Sequence, residues 1–339
     1  MAGQIRVFLT HNPEDLQAYY GRALIDLQAI VDVVRNPLDR DLTTDELIEA
    51  ASGCEVIVAH RSTPGETALF TGRPELLAFL RCAVDISTID VAAASQAGVL
   101  VGHADKSFTA STAELALALM LDLARNVSES TLDFRRDGSA PQRPGRQLRG
   151  RVAGIIGYGT IGSYLADMLR AIGMQVIVSD PVADARHDGF EQVELSELLA
   201  RAEFVLPLAA AVPATHHLID AAALAAMRPG ALLINVSRGE LLDEQAVADA
   251  LDRGHLGGLA MDVGSAPDQR PSPLLARRNG VVATPHLGGL TPENADAQAR
   301  SSVEQVAALL RGEMPSRAAN PTQATRVHNW LHATDSEIR

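Results

Sequence analysis

Three glycines at fixed spacing constrain this chain more than any other feature. Gly157, Gly159 and Gly162 come directly after the apolar run Val152–Ile156 and open a stretch, 161–172, with apolar residues at helical spacing. In a strand–turn–helix unit the first such glycine permits the tight turn. The second lets the backbone approach a pyrophosphate, and the third lets helix and strand pack closely. Free N–H groups and a partial positive charge at the helix start favour phosphate, so Thr160 and Ile161 are expected to meet it. A further apolar run, 175–179, ends at Asp180, 18 residues beyond Gly162. That is close to the roughly 20 at which an acidic residue accepts hydrogen bonds from an adenine ribose. A 2′-phosphate would be repelled there, so the expected cofactor is NAD. Arg186 lies near enough to leave the preference against NADP open.

The rest of the chain alternates in the same manner. Short apolar runs at 5–9, 55–59 and 98–101 precede the motif, and runs at 204–208, 231–236, 258–261 and 281–284 follow it. Helices are expected at 76–81, 112–125, 195–202, 221–227, 243–251 and 292–312, with Ser111-Thr112-Ala113-Glu114 as a capping box for the second. Such alternation predicts parallel α/β layers, and the six runs from Val152 onward predict a doubly wound sheet. Residues 136–151, rich in Arg, Pro and Gly, are read as a surface linker, with a phosphate site as the alternative. Residues beyond Met314 are polar, poorly periodic and expected to be partly mobile.

Composition excludes several function classes. The 339 residues suffice for two domains, and 47% apolar with 21% charged residues is ordinary for a globular chain. A formal net charge of −13 argues against a nucleic-acid partner. Two cysteines, Cys54 and Cys82, provide neither zinc-ligand spacing nor a disulfide framework and are read as buried thiols. No apolar run approaches the ~20 residues of a membrane helix, and the N-terminus reads as a strand rather than a leader. The expected location is therefore the cytoplasm, without a membrane partner. Lys106 is the only lysine among 29 basic residues, a bias that, with abundant alanine, suggests a GC-rich bacterial source.

Several segments beyond the glycine motif carry a family resemblance. Leu232-Leu233-Ile234-Asn235-Val236-Ser237-Arg238-Gly239-Glu240-Leu241-Leu242-Asp243-Glu244 and Thr284-Pro285-His286-Leu287-Gly288-Gly289 resemble the signatures of the D-isomer-specific 2-hydroxyacid dehydrogenase family. Met227-Arg228-Pro229-Gly230-Ala231 and Asp90-Val91-Ala92-Ala93-Ala94 match it as well. The resemblance implies two α/β domains separated by a cleft: a Rossmann-type cofactor domain at 107–299, and a discontinuous flavodoxin-like substrate domain formed by 1–106 and 300–339. It implies a homodimer in contact near 112–125. It also implies reversible reduction of a 2-keto acid to a D-2-hydroxy acid, with Arg238 binding the carboxylate and carbonyl and His286 acting as general acid and base. These residue types suit the chemistry, since Arg presents a permanently charged planar fork and His titrates near neutrality. Pro207, Val236, Asp262 and Gly288 match positions beside the cofactor, Asp262 near the nicotinamide carboxamide.

Two positions depart from the family pattern. The glutamate that pairs with the histidine in relatives falls at Pro267 here. Asp268 takes its place through a one-residue shift, or His286 has no carboxylate partner. In the substrate loop, Ala83 and Asp85 stand where relatives have glycines, and Arg61 and Lys106 are candidate cleft cations. These departures leave two other readings open: an NAD oxidoreductase for a formate- or phosphite-like anion, and a non-catalytic NAD-binding regulator.

Overall fold

The computed structural model describes residues 5–266 and 268–337, which divide into two compact units. The first is built from Met1–Ser107 and Pro292–Arg339, the second from Phe108–Thr291. The sequence reading put the second boundary at 299/300. The helix Pro292–Leu310 belongs wholly to the first unit, because its buried residues Ala299, Val306 and Leu309 join that unit's core.

In the first unit, β1 (Arg6–Leu9), β2 (Asp32–Arg35), β3 (Val56–Ala59), β4 (Ala78–Arg81) and β5 (Leu100–Gly102) form a wholly parallel sheet in the order β2-β1-β3-β4-β5. This is the flavodoxin-like order. Alternate side chains serve opposite faces. Val7, Leu9, Val56 and Val58 pack beneath the C-terminal helices, whereas Phe8, Ile57 and Ala59 pack on the other face with Phe70 and Phe79.

One expectation is corrected here, and two elements appear that were not expected. Residues 76–81 end in strand β4, not in a helix; an apolar run buried on both faces gives no periodic signal to separate the two. Beyond Met314 the chain forms a helix that was not expected, Thr325–Glu337, which seats Val327 in the core with Trp330 and Leu331 against it. Strand β2, half-exposed at an edge, was not foreseen.

In the second unit, β6 (Val152–Ile156), β7 (Gln175–Ser179), β8 (Glu191–Gln192), β9 (Phe204–Pro207), β10 (Ala231–Asn235), β11 (Leu256–Met261) and β12 (Val281–Ala283) are also all parallel. Their order is β12-β11-β10-β9-β6-β7-β8. Counted within the unit this is 3-2-1-4-5-6 with one added strand, the dinucleotide-binding arrangement. One face carries the helices Thr109–Arg125 and Thr160–Ala171, and the other the helices Leu195–Arg201, Ala221–Ala226 and Glu244–Asp252. The expected capping box at Ser111 does not form. The helix begins three residues earlier than expected, at Thr109, and the Ser111 hydroxyl turns back to the Phe108 carbonyl. A second helix, Val127–Asp137, occupies the start of the expected linker, and its charges are paired locally: Arg136 with Asp133 and Asp137, Arg143 with Asp133.

Candidate active site

The glycine loop lies at the switch point of the second sheet, where β6 has β7 on one side and β9 on the other. Gly157 has φ +100°, and a Cβ there would come within 2.6 Å of the Ala209 backbone nitrogen just beyond β9. A Cβ on Gly162 would collide with the Gly157 carbonyl, so the helix Thr160–Ala171 could not approach its strand as closely. Gly159 faces open space, with nothing within 4 Å of an added Cβ. Two glycines thus serve internal packing and the third leaves room above the helix start, as a pyrophosphate requires. Thr160 and Ile161 form the first turn beside that space.

Asp180, just past β7, is tied to the same loop. One carboxylate oxygen accepts the Tyr158 backbone N–H at 2.7 Å, and the other accepts those of Val182 (2.7 Å) and Ala183 (2.8 Å). Partial burial works against its charge. The N–H groups of Tyr158, Ala183 and Val182 outweigh that effect and hold its pKa below the ordinary carboxylate value. Asp180 is therefore a fixed anion at the end of the second strand of the unit. Arg186 is not available as a free cation, since its guanidinium grips Asp184 through two 2.8 Å hydrogen bonds.

The catalytic candidates Arg238 and His286 follow strands on either side of β11. Asn235, Met261 and Ala283 are in register across β10, β11 and β12. Arg238, Asp262 and His286 follow them by three, one and three residues, so all three emerge at the carboxyl edge where an α/β sheet presents its ligands. Each turn is held by a side chain that sequence reasoning missed or underrated. Fully buried Asn235 donates to the Arg238 carbonyl at 2.8 Å and accepts from Ser237 N–H. The Ser237 hydroxyl donates to the Ala209 carbonyl, joining the arginine turn to the glycine-loop side. Gly239 packs so tightly against the Gly264 backbone that no Cβ fits between them. Arg238 is half-buried, with one guanidinium nitrogen on the Ser237 carbonyl at 2.8 Å.

Asp262 is buried, 1% exposed, and accepts three hydrogen bonds from the loop after β12: Thr284 hydroxyl (2.6 Å), Leu287 N–H (2.7 Å) and Gly288 N–H (2.7 Å). Glycine at 288 keeps this contact close, as an added Cβ would sit 3.2 Å from an Asp262 oxygen and 3.3 Å from the Thr112 hydroxyl. His286, inside this clamp, takes φ +63°, a left-handed conformation uncommon outside glycine. Val236 and Pro207 are buried at the ends of β10 and β9. Asp268 is exposed, and its carboxylate accepts from the Arg270 backbone N–H at 3.1 Å. Pro267 lies outside the described residues.

In the first unit, Asp85 is exposed and caps its own turn through Ser87 N–H, while Arg61 and Lys106 are exposed. Arg81, which attracted no attention in the sequence, is fully buried at the end of β4. It donates to the carbonyls of His60, Arg61 and Thr63 and to the Thr88 hydroxyl. Burial lowers its pKa to about 10. Only the sheet brings those four acceptors together, so no local pattern announced them.

These features define an NAD-binding α/β unit with an arginine and a histidine at adjoining strand ends. Residues 117–288 match the D-isomer specific 2-hydroxyacid dehydrogenase NAD binding domain. The chain is 34% identical over 284 residues to D-3-phosphoglycerate dehydrogenase of Methanocaldococcus jannaschii, covering 82% of this chain and 54% of that protein. It is 32% identical over 293 residues to (S)-sulfolactate dehydrogenase of Chromohalobacter salexigens, covering 83% of this chain and 94% of that one. A crystal structure of a protein from Thermus thermophilus superposes with a TM-score of 0.81 at 29% identity, covering 93% of this chain and 100% of that one. The chain belongs to the D-isomer-specific 2-hydroxyacid dehydrogenase family, and its cofactor is NAD. It spans about half the length of the phosphoglycerate dehydrogenases it matches. No helix among the described residues is long and apolar enough to cross a membrane.

Proposed function

We propose that the protein reversibly reduces a 2-keto acid to a D-2-hydroxy acid, with Arg238 holding the substrate carboxylate and carbonyl and His286 moving the proton. The observation that carries this reading is the placement of both residues just past strands β10 and β12, on either side of Asp262. NADH, when bound, supplies the hydride. Arg238 offers a permanently charged fork that pairs with the carboxylate and polarises the adjacent carbonyl. His286 delivers a proton to the carbonyl oxygen in reduction and accepts it back in oxidation. Gly159, Thr160 and Ile161 receive the pyrophosphate with Gly157 and Gly162 shaping the loop, Asp180 receives the adenine ribose, and Pro207, Val236, Asp262 and Gly288 line the remainder. Asp268 is the candidate carboxylate partner of His286. For the substrate we infer a short acid with a second anionic group, because relatives at 30% identity or more include dehydrogenases of phosphoglycerate and sulfolactate.

NADH consumption with a panel of keto acids tests the reading. The panel should contain phosphorylated and sulfonated three-carbon keto acids alongside glyoxylate, pyruvate and phenylpyruvate. Arg238→Ala and His286→Ala are expected to lower kcat/KM by at least about a hundredfold. NADH binding without turnover of any member would favour a regulator over an enzyme. Turnover unchanged in both variants would remove Arg238 and His286 from the chemistry.

A further inference from the structure

The first unit holds a polar cluster that neither the glycine loop nor the Arg238 and His286 turns use. His11 lies just past β1 and His60 just past β3. In a sheet of order 2-1-3-4-5, those two strands flank the switch point, where such folds receive ligands. Both rings are buried, at 1% and 8% exposure, and meet edge to face with centroids 5.0 Å apart. Neither nitrogen of His11 has a hydrogen-bond partner among the described residues, nor does Nε2 of His60. Asp15 presents an oxygen 3.5 Å from His60 Nδ1 that is buried and makes no hydrogen bond among the described residues. A ring nitrogen of His60 and one carboxylate oxygen each from Asp15 and Asp41 all lie within 4.8 Å of one another.

The surroundings hold this group in place without neutralising it. The Asn36 amide bridges the Thr10 and Arg40 carbonyls and so fixes the loop leading to Asp41. The Thr10 hydroxyl accepts the His60 backbone N–H and pairs with the Thr63 hydroxyl. Arg81 spends its hydrogen bonds on the carbonyls of His60, Arg61 and Thr63. No Lys or Arg pairs with Asp15 or Asp41 among the described residues. Burial, reinforced by Arg61 and Arg81 and opposed by Asp41, lowers the His60 pKa to about 4. Burial and the neighbouring His60 lower that of His11 well below its usual value. The two imidazoles lie beside two carboxylates of like charge, and His60 Nδ1 also meets the Ser62 hydroxyl at 2.8 Å. That donor set suits a cation and repels an anion.

We propose that Asp15, Asp41 and His60 bind one divalent transition-metal ion at the carboxyl edge of the first sheet, with the His11 ring packed beside them. Mixed imidazole and carboxylate donors favour Zn²⁺ or Mn²⁺ over Mg²⁺. The site shares no residue with the cofactor and catalytic set proposed above.

Titration calorimetry of Zn²⁺ and Mn²⁺ into the EDTA-treated full chain, with Mg²⁺ as comparison, tests this. One strong Zn²⁺ site per chain is expected, together with a rise in Tm. Asp41→Asn, at an exposed position, and His60→Gln should each weaken Zn²⁺ binding by at least about tenfold and remove the Tm rise, with circular dichroism unchanged for Asp41→Asn. Replacing the stacked pair His216 and His217 with alanine should leave the strong site intact. Zn²⁺ affinity unaltered in Asp41→Asn, loss of the site on removing His216 and His217, or a wild-type Kd weaker than about 0.1 mM would each overturn the proposal.

Discussion

The Asp262 carboxylate straddles His286: it accepts the Thr284 hydroxyl two residues before the histidine and the Leu287 and Gly288 N–H groups directly after it. A non-glycine residue in the left-handed region costs about 1–3 kcal/mol. Hydrogen bonds to a charged acceptor contribute about 1.5–3 kcal/mol each. Three of them outweigh the strain, so the clamp holds His286 at φ +63°.

Asp262→Asn keeps the shape but presents one acceptor oxygen to three donors. We expect Tm to fall by an amount corresponding to about 1–3 kcal/mol and kcat to fall by at least tenfold. Differential scanning calorimetry and NADH kinetics measure the two effects. Unchanged values for both would show that the loop holds His286 without the carboxylate.

Asp180 organises the cofactor loop through Tyr158 N–H, so Asp180→Ala should raise the KM for NADH by at least tenfold and narrow its advantage over NADPH. The pH dependence has a definite sign. Because the folded-state pKa is depressed, the contribution is complete above the ordinary carboxylate value of about 3.9 and is lost as pH falls through the folded value. The stability gap between wild type and Asp180→Asn should therefore stay constant from pH 7 to pH 5 and close in more acid solution. A gap that widens as the pH falls below that range would contradict this role.

His60 titrates at about 4 in the folded chain against about 6.5 unfolded. A base with a depressed pKa costs stability once the unfolded chain begins to take up protons. The loss therefore starts near pH 6.5 and continues to about pH 4. By pH 5 it amounts to about 2 kcal/mol in metal-free protein. Urea titrations of EDTA-treated wild type and His60→Gln between pH 7 and pH 5 should diverge in slope, with the variant the flatter of the two.

Arg81→Met leaves the carbonyls of His60, Arg61 and Thr63 without their donor and should cost about 1–3 kcal/mol for each buried acceptor left unsatisfied. Denaturant unfolding reads this directly. A cost under about 1 kcal/mol would mean that water replaces the guanidinium.

The helices Thr109–Arg125 and Val127–Asp137 leave Leu121, Val127, Leu132 and Phe134 exposed. We expect these residues to form the contact of a homodimer, since exposed apolar patches of this kind commonly mark interfaces. Phe134→Asp should shift the mass seen by light scattering towards the monomer. A wild type that is monomeric at all concentrations would end the idea.

Local signals made the second unit readable. Gly157, Gly159 and Gly162 serve turn geometry and backbone approach, which depend on the residue itself, and Asp180 follows a strand whose apolar run is self-evident. Strand β4 was misread because burial on both faces erases periodicity, and the tail helix Thr325–Glu337 because its apolar stripe is short and makes sense only against the first unit's core. The positions of Arg238 and His286 followed from family resemblance, but the reason they are held did not.

The glycine triplet and the alternation of strands with helices were thus enough, from sequence alone, to indicate the doubly wound architecture and its dinucleotide, because turn geometry and hydrophobic periodicity are written in local stretches of chain. The clamp of Asp262 on the His286 loop, the support of Arg81 under His60 and the meeting of Asp15 and Asp41 with the buried His60 imidazole are different. Each joins groups from separate strand ends, and only parallel pairing of those strands brings them within hydrogen-bonding or coordinating distance.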